Sequence, residues 1–413
     1  MFNLELDWDL PAKIKAKNTK HILRVRIRPQ SGGPGLPLRI AIALDTSQSM
    51  GGENLQRAQE ACRAVVAQLR DRDRLSLAGF STSVTPLLQS LPGGAAALQP
   101  ANTAISRLTA GGVTLTGLAL DWILNALPPE AGVARVGILI TDGHATTSQG
   151  RILDDTGVLI DKSQQLANLG IILNTVGLGN ANNFNTALLT DLSDKGRGSF
   201  IFADTPASLE PQLQKRLTEC QAMATENTVI QLIPSNGVKV KGFCRYRPEY
   251  LPLEETAKNQ LTIGAIAANS PTDLLIELEI PLGGFDEPTG NKDVISVELT
   301  AKGMTNPVRA KAGINYTTSY PELQKQNKVN EEIKKDYYCW MINLTIKELS
   351  GTENPNEQKE LLEKARYDAE EAGKTDMVNQ LDQQLDDLEK SGKLDPNRTT
   401  KLLRDSRDLG GKE

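Results

Sequence analysis

From Leu38 to Met223, short runs of continuous apolar residues alternate with segments of helical spacing, and no other feature limits the fold so sharply. The runs are Leu38 to Leu44, Leu75 to Phe80, Val136 to Ile140, Ile171 to Val176 and Ser199 to Phe202. Between them, Leu55 to Leu69, Leu115 to Leu127, a segment ending near Leu169 and Leu209 to Leu217 repeat apolar residues at helical intervals. Strands apolar on both faces and separated by helices imply a mostly parallel sheet covered on both sides, an α/β doubly wound, Rossmann-like architecture. Ser83 to Leu88 follows Phe80 too closely for a crossover helix, so it is expected as a hairpin partner and an antiparallel edge strand.

The flanks follow other rules. Leu23-Arg24-Val25-Arg26-Ile27-Arg28 alternates apolar and basic residues, the pattern of a half-buried strand with its arginines on a solvated face. The Ser31-Gly32-Gly33-Pro34-Gly35 cluster ends it. After Met223, Val229 to Ile233, Val238 to Lys241, Leu261 to Ile263, Leu274 to Ile280, Ile295 to Leu299 and Val308 to Ile314 read as strands with turns between them. Strands without helices suggest an antiparallel β-sandwich, which would recruit the N-terminal strand. The α/β domain is then an insertion. Expected boundaries are 1–37 for the N-terminal strands of the sandwich, 38–223 for the α/β domain, 224–320 for the rest of the sandwich and 321–413 for a C-terminal helical region. That region shows amphipathic spacing at Tyr337, Trp340, Met341 and Leu344, at Leu361, Leu362 and Ala365, and at Met377, Leu381, Leu385 and Leu388. The Leu381 stripe is read as packing on the Leu361 helix, and the polar stretch Arg398 to Glu413 as a mobile tail.

Composition narrows the function. With 39% hydrophobic and 23% charged residues, the 413-residue chain is a folded globular protein of more than one domain. The net charge of −5 resides after Pro321, and the preceding residues are neutral. Nucleic-acid binding lacks the basic excess it needs. No stretch is apolar enough for a membrane span, and the acidic start, Met1 to Pro11, does not read as a signal peptide, so a cytoplasmic location is expected. Cys62, Cys220, Cys244 and Cys339 have no paired spacing and are expected as buried thiols. Two histidines, His21 and His144, make histidine metal centres and catalytic triads improbable.

Three polar loops fall at the carboxyl ends of the expected strands, where open α/β sheets bind ligands. They are Asp45-Thr46-Ser47-Gln48-Ser49, Gly111-Gly112-Val113-Thr114-Leu115-Thr116-Gly117 and Thr141-Asp142-Gly143. Together they offer two carboxylates and several hydroxyls, the hard oxygens that Mg²⁺ or Mn²⁺ takes. A bland alternative is that Asp45 and its serines cap the following helix.

These residues resemble the metal-ion-dependent adhesion site of von Willebrand factor A domains, built on an Asp-x-Ser-x-Ser loop, a Thr from a second loop and an Asp from a third. The resemblance implies that Asp45, Ser47, Ser49, Thr114 and Asp142 surround Mg²⁺, or Mn²⁺ or Ca²⁺, with the hydroxyls touching it and the carboxylates acting mainly through water. In the second loop Val113 intervenes where the family commonly has Thr directly after the glycine pair, which leaves Thr116 as an alternative to Thr114. The resemblance extends to Arg74 to Ser81 and to Thr175-Val176-Gly177-Leu178-Gly179 with Asn185 to Leu192. The flanking sandwich is similar, less specifically, to bacterial proteins related to the heavy chains of inter-alpha-trypsin inhibitor. The family also implies a setting beside ATPases, kinases or phosphatases, an association rather than a reading of these residues.

The resulting expectation is a non-enzymatic, cation-dependent binding module whose ion is completed by an Asp or Glu of a partner protein. Two other classes stand beside it. A metal-dependent hydrolase would need a base near the ion, for which His144 and Asp142 are the candidates. A metal-free scaffold would work through the sandwich and helices alone. Gly177-x-Gly179 lacks the third glycine and acidic partner of a dinucleotide loop and is read as a tight turn.

Overall fold

The computed structural model describes residues 2–30, 33–283, 289–302 and 304–411. Ser31 and Gly32 of the expected strand-breaking cluster lie outside the described residues. The chain divides into two compact units, Pro34–Glu226 with Asp395–Arg404, and Met1–Gly33 with Asn227–Leu394 and Asp405–Glu413.

The first unit holds a six-stranded sheet whose strands we label β1 (Leu38–Asp45), β2 (Arg74–Phe80), β3 (Val84–Pro92), β4 (Ala134–Thr141), β5 (Ile171–Leu178) and β6 (Arg197–Ala203). Their order is β3-β2-β1-β4-β5-β6. All neighbours are parallel except β2 and β3, whose antiparallel pairing makes β3 the edge expected from its short link. The helices are α1 (Glu53–Gln68), α2 (Leu98–Ile105), α3 (Thr116–Ala126), α4 (Gly157–Asn168), α5 (Thr186–Lys195) and α6 (Leu209–Gln221).

Burial explains the arrangement. Every residue of β4 and β5 is buried, so both strands must be covered on both faces. Ala41, Ala43 and Leu139 pack with Leu120 and Ile123 of α3, Leu166 of α4 and Leu189 and Leu192 of α5 in one core. Each fully buried Leu or Ile contributes roughly 1.5–3 kcal/mol. Gly137 permits the close approach of α3, since a Cβ there would stand 2.7 Å from Ile123 Cγ2. The strand order reverses between β1 and β4, and such a switch point opens a crevice at the carboxyl ends of the strands. Asp45 ends β1, and Asp142 follows β4 directly.

The second unit contains two sheets. One runs Phe2–Trp8, Thr19–Pro29, Thr272–Ile280, Lys239–Arg247, Leu251–Pro252, and is antiparallel throughout. The other runs Glu255–Ala257, Gln260–Ala267, Met223–Pro234, Gly290–Ala301, Val308–Thr317, Ala12–Ile14. Its last pairing, of Asn315–Thr317 with Ala12–Ile14, is parallel. Trp8 Nε1 of the first sheet donates to Gly313 O of the second at 2.7 Å. The N-terminal strand is recruited, with Ile27 opposite Thr272 and Val25 opposite Leu274.

The arginine row departs from expectation. Arg24 and Arg26 are not on a solvated face; Arg24 is only 5% exposed. The helix Glu331–Leu349 brings Glu332 to Arg24 at 2.7 Å, while Asp273 pairs with Arg26 at 2.7 Å and with Arg247 at 2.8 Å. Arg247 also reaches Asp336 at 2.9 Å. Two rows of complementary charge make burial tolerable, because each buried ion retains a partner. Only Arg28 stays in solvent, beside Glu5.

The C-terminal region consists of helices Tyr320–Gln326, Glu331–Leu349, Pro355–Glu371, Thr375–Ser391 and Pro396–Arg407. Residues up to Leu394 group with the two-sheet unit rather than by themselves, and the unit boundaries fall at Gly33/Pro34 and Glu226/Asn227 instead of after 37 and 223. Thr375–Ser391 packs on Pro355–Glu371, burying Leu381 and Leu388 with Leu361 and Leu362. The expected mobile tail is instead helical over Pro396–Arg407. All four cysteines are buried, as expected. No helix among the described residues is long and apolar enough to cross a membrane.

Candidate metal centre

The apolar run of β1 stops at Asp45, whose fully buried carboxylate is fixed from two directions. Oδ1 accepts from Ser47 N at 2.7 Å, and Oδ2 accepts from Thr141 Oγ1 at 2.6 Å. Burial pushes the Asp45 pKa up to about 6; the bonds from Thr141 and Ser47 pull it back, and the charge of Asp142 adds to the rise. After Ser47 the chain makes a 3₁₀ turn, Gln48–Met50, anchored by the buried Met50 side chain. Gly52 then enters α1 with φ of +82°, a conformation natural only to glycine.

The second loop is tied to the first by its backbone. Gly111 N donates to Thr46 O at 2.8 Å, and Gln48 N donates to Gly112 O at 3.1 Å. The inserted Val113 is accommodated sideways: its N donates to Thr82 Oγ1, and its Cγ1 lies 3.2 Å from a Cβ built on Gly150. Thr114 N in turn donates to Thr146 Oγ1 at 3.0 Å. A Cβ built on Gly143 would lie 3.5 Å from both Ser49 Oγ and Thr114 Oγ1, so these hydroxyls flank the same glycine of the third loop. Thr116 opens α3 and is buried.

Asp142 completes the cluster. Its Oδ1 accepts from Ser49 Oγ at 2.7 Å and its Oδ2 from Asn54 Nδ2 at 2.8 Å, while Ser47 Oγ and Ser49 Oγ are 3.1 Å apart. Octahedral oxygen ligands with bonds of about 2.0–2.1 Å stand about 2.9 Å from their neighbours. The 3.1 Å between the Ser47 and Ser49 hydroxyls is close to that edge, so this pair suits a small hard cation, with Asp142 holding Ser49 from behind. Among the described residues no group of three or more His, Cys, Asp and Glu could hold a metal, and hydroxyls are what distinguish this cluster. His144 is turned to the β5–α5 loop, where its Nε2 donates to Asn182 O at 3.4 Å.

The three loops thus bring Asp45, Ser47, Ser49, Thr114 and Asp142 to one rim. Sequence reasoning named Thr141 only as part of its loop and missed Asn54 and Thr146; all three orient that group. Thr141 was visible as the residue before Asp142. Asn54 had no motif to mark it, because its role depends on where the first turn of α1 points.

Residues 40–216 match the model of the von Willebrand factor type A domain. The chain carries a von Willebrand factor type A domain. It is 25% identical over 247 residues to the uncharacterized protein YfbK of Escherichia coli, covering 58% of this chain and 41% of that protein. It is 28% identical over 222 residues to inter-alpha-trypsin inhibitor heavy chain H3 of Mesocricetus auratus, covering 49% and 24%. The matched stretch therefore spans less than half the length of these curated relatives. Among solved structures, a von Willebrand factor type A protein from Catenulispora acidiphila superposes with a TM-score of 0.79 at 17% identity, over 98% of this chain and 96% of that one. The ArnB paralog VWA2 from Sulfolobus acidocaldarius gives 0.61 at 16% identity, over 100% and 99%. These likenesses establish that the fold outside the A domain is shared as well. A domains are typically protein-interaction modules.

Proposed function

We propose that the A domain is a divalent-cation-dependent protein-binding module, with Mg²⁺, or Mn²⁺ or Ca²⁺, held by Ser47, Ser49 and Thr114 and backed by Asp45 and Asp142. When bound, the ion supplies a positive charge able to attract a carboxylate. The residues of this chain set how much of that charge is left. Ser47, Ser49 and Thr114 offer neutral oxygens, while Asp45 is engaged by Ser47 N and Thr141, and Asp142 by Ser49 and Asn54. Carboxylates held in this way act from behind the hydroxyls, so an external Asp or Glu of a partner protein is the natural completing group. The observation that supports this reading most is the placement of Ser49 Oγ, 3.1 Å from Ser47 Oγ and 2.7 Å from Asp142 Oδ1.

Calorimetric titration with Mg²⁺, run on the natural protein and on Asp45→Ala, tests it. Binding heat in the first and none in the second is expected; equal heats refute the assignment. A pull-down with and without Mg²⁺ then separates the cation-dependent module from a metal-free scaffold, whose contacts EDTA would leave intact.

A further inference from the structure

The segment Asp395–Arg404 groups with the A domain although in sequence it lies between two stretches of the two-sheet unit, Asn227–Leu394 and Asp405–Glu413. It opens the helix Pro396–Arg407, on which Asn397, Thr400 and Arg404 are spaced three and four apart and so share one face. Each meets the carboxyl-end side of the sheet. Ala181 N donates to Asn397 Oδ1 at 2.7 Å, Thr400 Oγ1 and Thr186 Oγ1 are 2.8 Å apart, and Arg404 donates from its guanidinium to Phe202 O at 3.1 Å. Thr400, Leu402 and Leu403 are buried. Phe202 O also accepts from Gln212 Nε2 of α6 at 2.9 Å, so one carbonyl serves both the segment and the last helix of the A domain.

The loop that Asn397 holds faces the metal centre on its other side. His144 donates to Asn182 O, and a Cβ built on Gly179 would stand 4.0 Å from Asn54 Nδ2, the group that holds Asp142. Gly179 N is pinned to Ala203 O at 2.8 Å, which ties the start of the loop to the end of β6. The stretch 179–183 is thus bounded by the segment on one side and by Asn54 and His144 on the other.

We propose that this face of the A domain is a docking surface for a helix presenting the pattern Asn-x-x-Thr-x-x-x-Arg, that the chain fills it with its own Asp395–Arg404, and that Asn397 is a positioning residue for the centre. The docked segment fixes residues 179–183, and these limit where Asn54 and His144 stand behind Asp142. Docking stands independently of any ion; its effect on the cation rests on the function proposed above.

Hydrogen exchange on the full-length protein tests the docking, with Asn397→Ala, Asn397→Asp and Arg404→Gln as variants. Asn397→Ala removes the acceptor of Ala181 N, so exchange across 179–183 and 395–404 should rise about tenfold while β1, β4 and β5 stay protected. Asn397→Asp keeps an acceptor and should restore the natural pattern; Arg404→Gln should loosen 395–404 in the same sense as Asn397→Ala. Unchanged exchange at 179–183 in Asn397→Ala, or an Asn397→Asp variant that behaves like it, overturns the docking. Mg²⁺ calorimetry on the same proteins tests the coupling, with an expected three- to tenfold weaker Kd in Asn397→Ala, recovered in Asn397→Asp. Equal Kd values in all variants overturn the coupling. Absence of heat in the natural protein overturns the cation reading, and the coupling with it, while exchange alone still decides the docking.

Discussion

Replacing Asp45 by Asn should stabilise the metal-free protein. The folded A domain raises the Asp45 pKa from 3.8 to about 6, chiefly by burial. At roughly 1.4 kcal/mol per pKa unit, keeping Asp45 ionised near neutral pH costs the fold about 3 kcal/mol. Asparagine has the same shape without the charge. Its Oδ1 can accept from Ser47 N as the carboxylate does, and its amide can donate to Thr141 Oγ1, whose own hydrogen then turns to Gly143 O at 3.3 Å. Both charged hydrogen bonds become neutral, a loss the net pKa shift already largely contains, so a further allowance of up to about 1 kcal/mol leaves a gain of about 2–3 kcal/mol. For a unit of this size that corresponds to a rise in Tm of about 4–12 °C. The sign with pH follows from linkage. A carboxyl whose folded pKa is raised binds its proton more tightly in the native state, so the natural protein gains this stability as pH falls from about 6 to 3.8. The advantage of Asp45→Asn is therefore full above about pH 6 and gone below 3.8. Differential scanning calorimetry in EDTA, following the A-domain transition across that range, measures it. A variant that melts at or below the natural protein near neutral pH, or keeps an undiminished advantage at the acid end, refutes the argument.

Saturating Mg²⁺ should raise the natural protein's stability by about 2.7 kcal/mol at a hundred times Kd and leave Ser47→Ala/Ser49→Ala unmoved, by the same calorimetry. Gly198→Ala would place a Cβ 2.0 Å from Leu173 O, a backbone atom with nowhere to go, and should cost at least about 2 kcal/mol in urea unfolding. Arg247→Ala leaves the fully buried Asp273 with Arg26 alone and deprives Asp336 of its bidentate partner, a loss of about 3–5 kcal/mol in the two-sheet unit. Burial lowers the His21 pKa from 6.5 to about 4, so that unit should lose stability as pH falls from 6.5 to about 4. Asp9, 3.9 Å away and raised to about 6, works in the opposite direction, and His21→Gln should expose its contribution in acid titration.

What could be read from the sequence was what neighbours in sequence decide. Continuous apolar runs fixed β1, β4 and β5 because both their faces are covered, and the succession of strand, polar loop and helix marked Asp45, Ser47, Ser49 and Asp142. Long-range partners were illegible. Arg24 and Arg26 looked solvated because Glu332 lies 306 residues beyond Arg26. The segment after Asp395 looked mobile because Asn397 meets Ala181 across 216 residues. Asn54 escaped notice for a different reason: its importance comes from side-chain direction, and no spacing rule encodes that.

The inserted topology sets a schedule for synthesis. Strand Thr19–Pro29 is made long before its neighbour Thr272–Ile280, whose Asp273 stands 247 residues after Arg26. At about 5–20 residues per second the ribosome takes roughly 10–50 s to cover that gap, ample time for the A domain to fold first. Throughout that wait the strand shows Leu23, Val25 and Ile27 on one side and three arginines on the other. Charged residues on an unpaired edge deter association with other chains, so the arginines destined for ion pairs also serve as gatekeepers of the nascent protein.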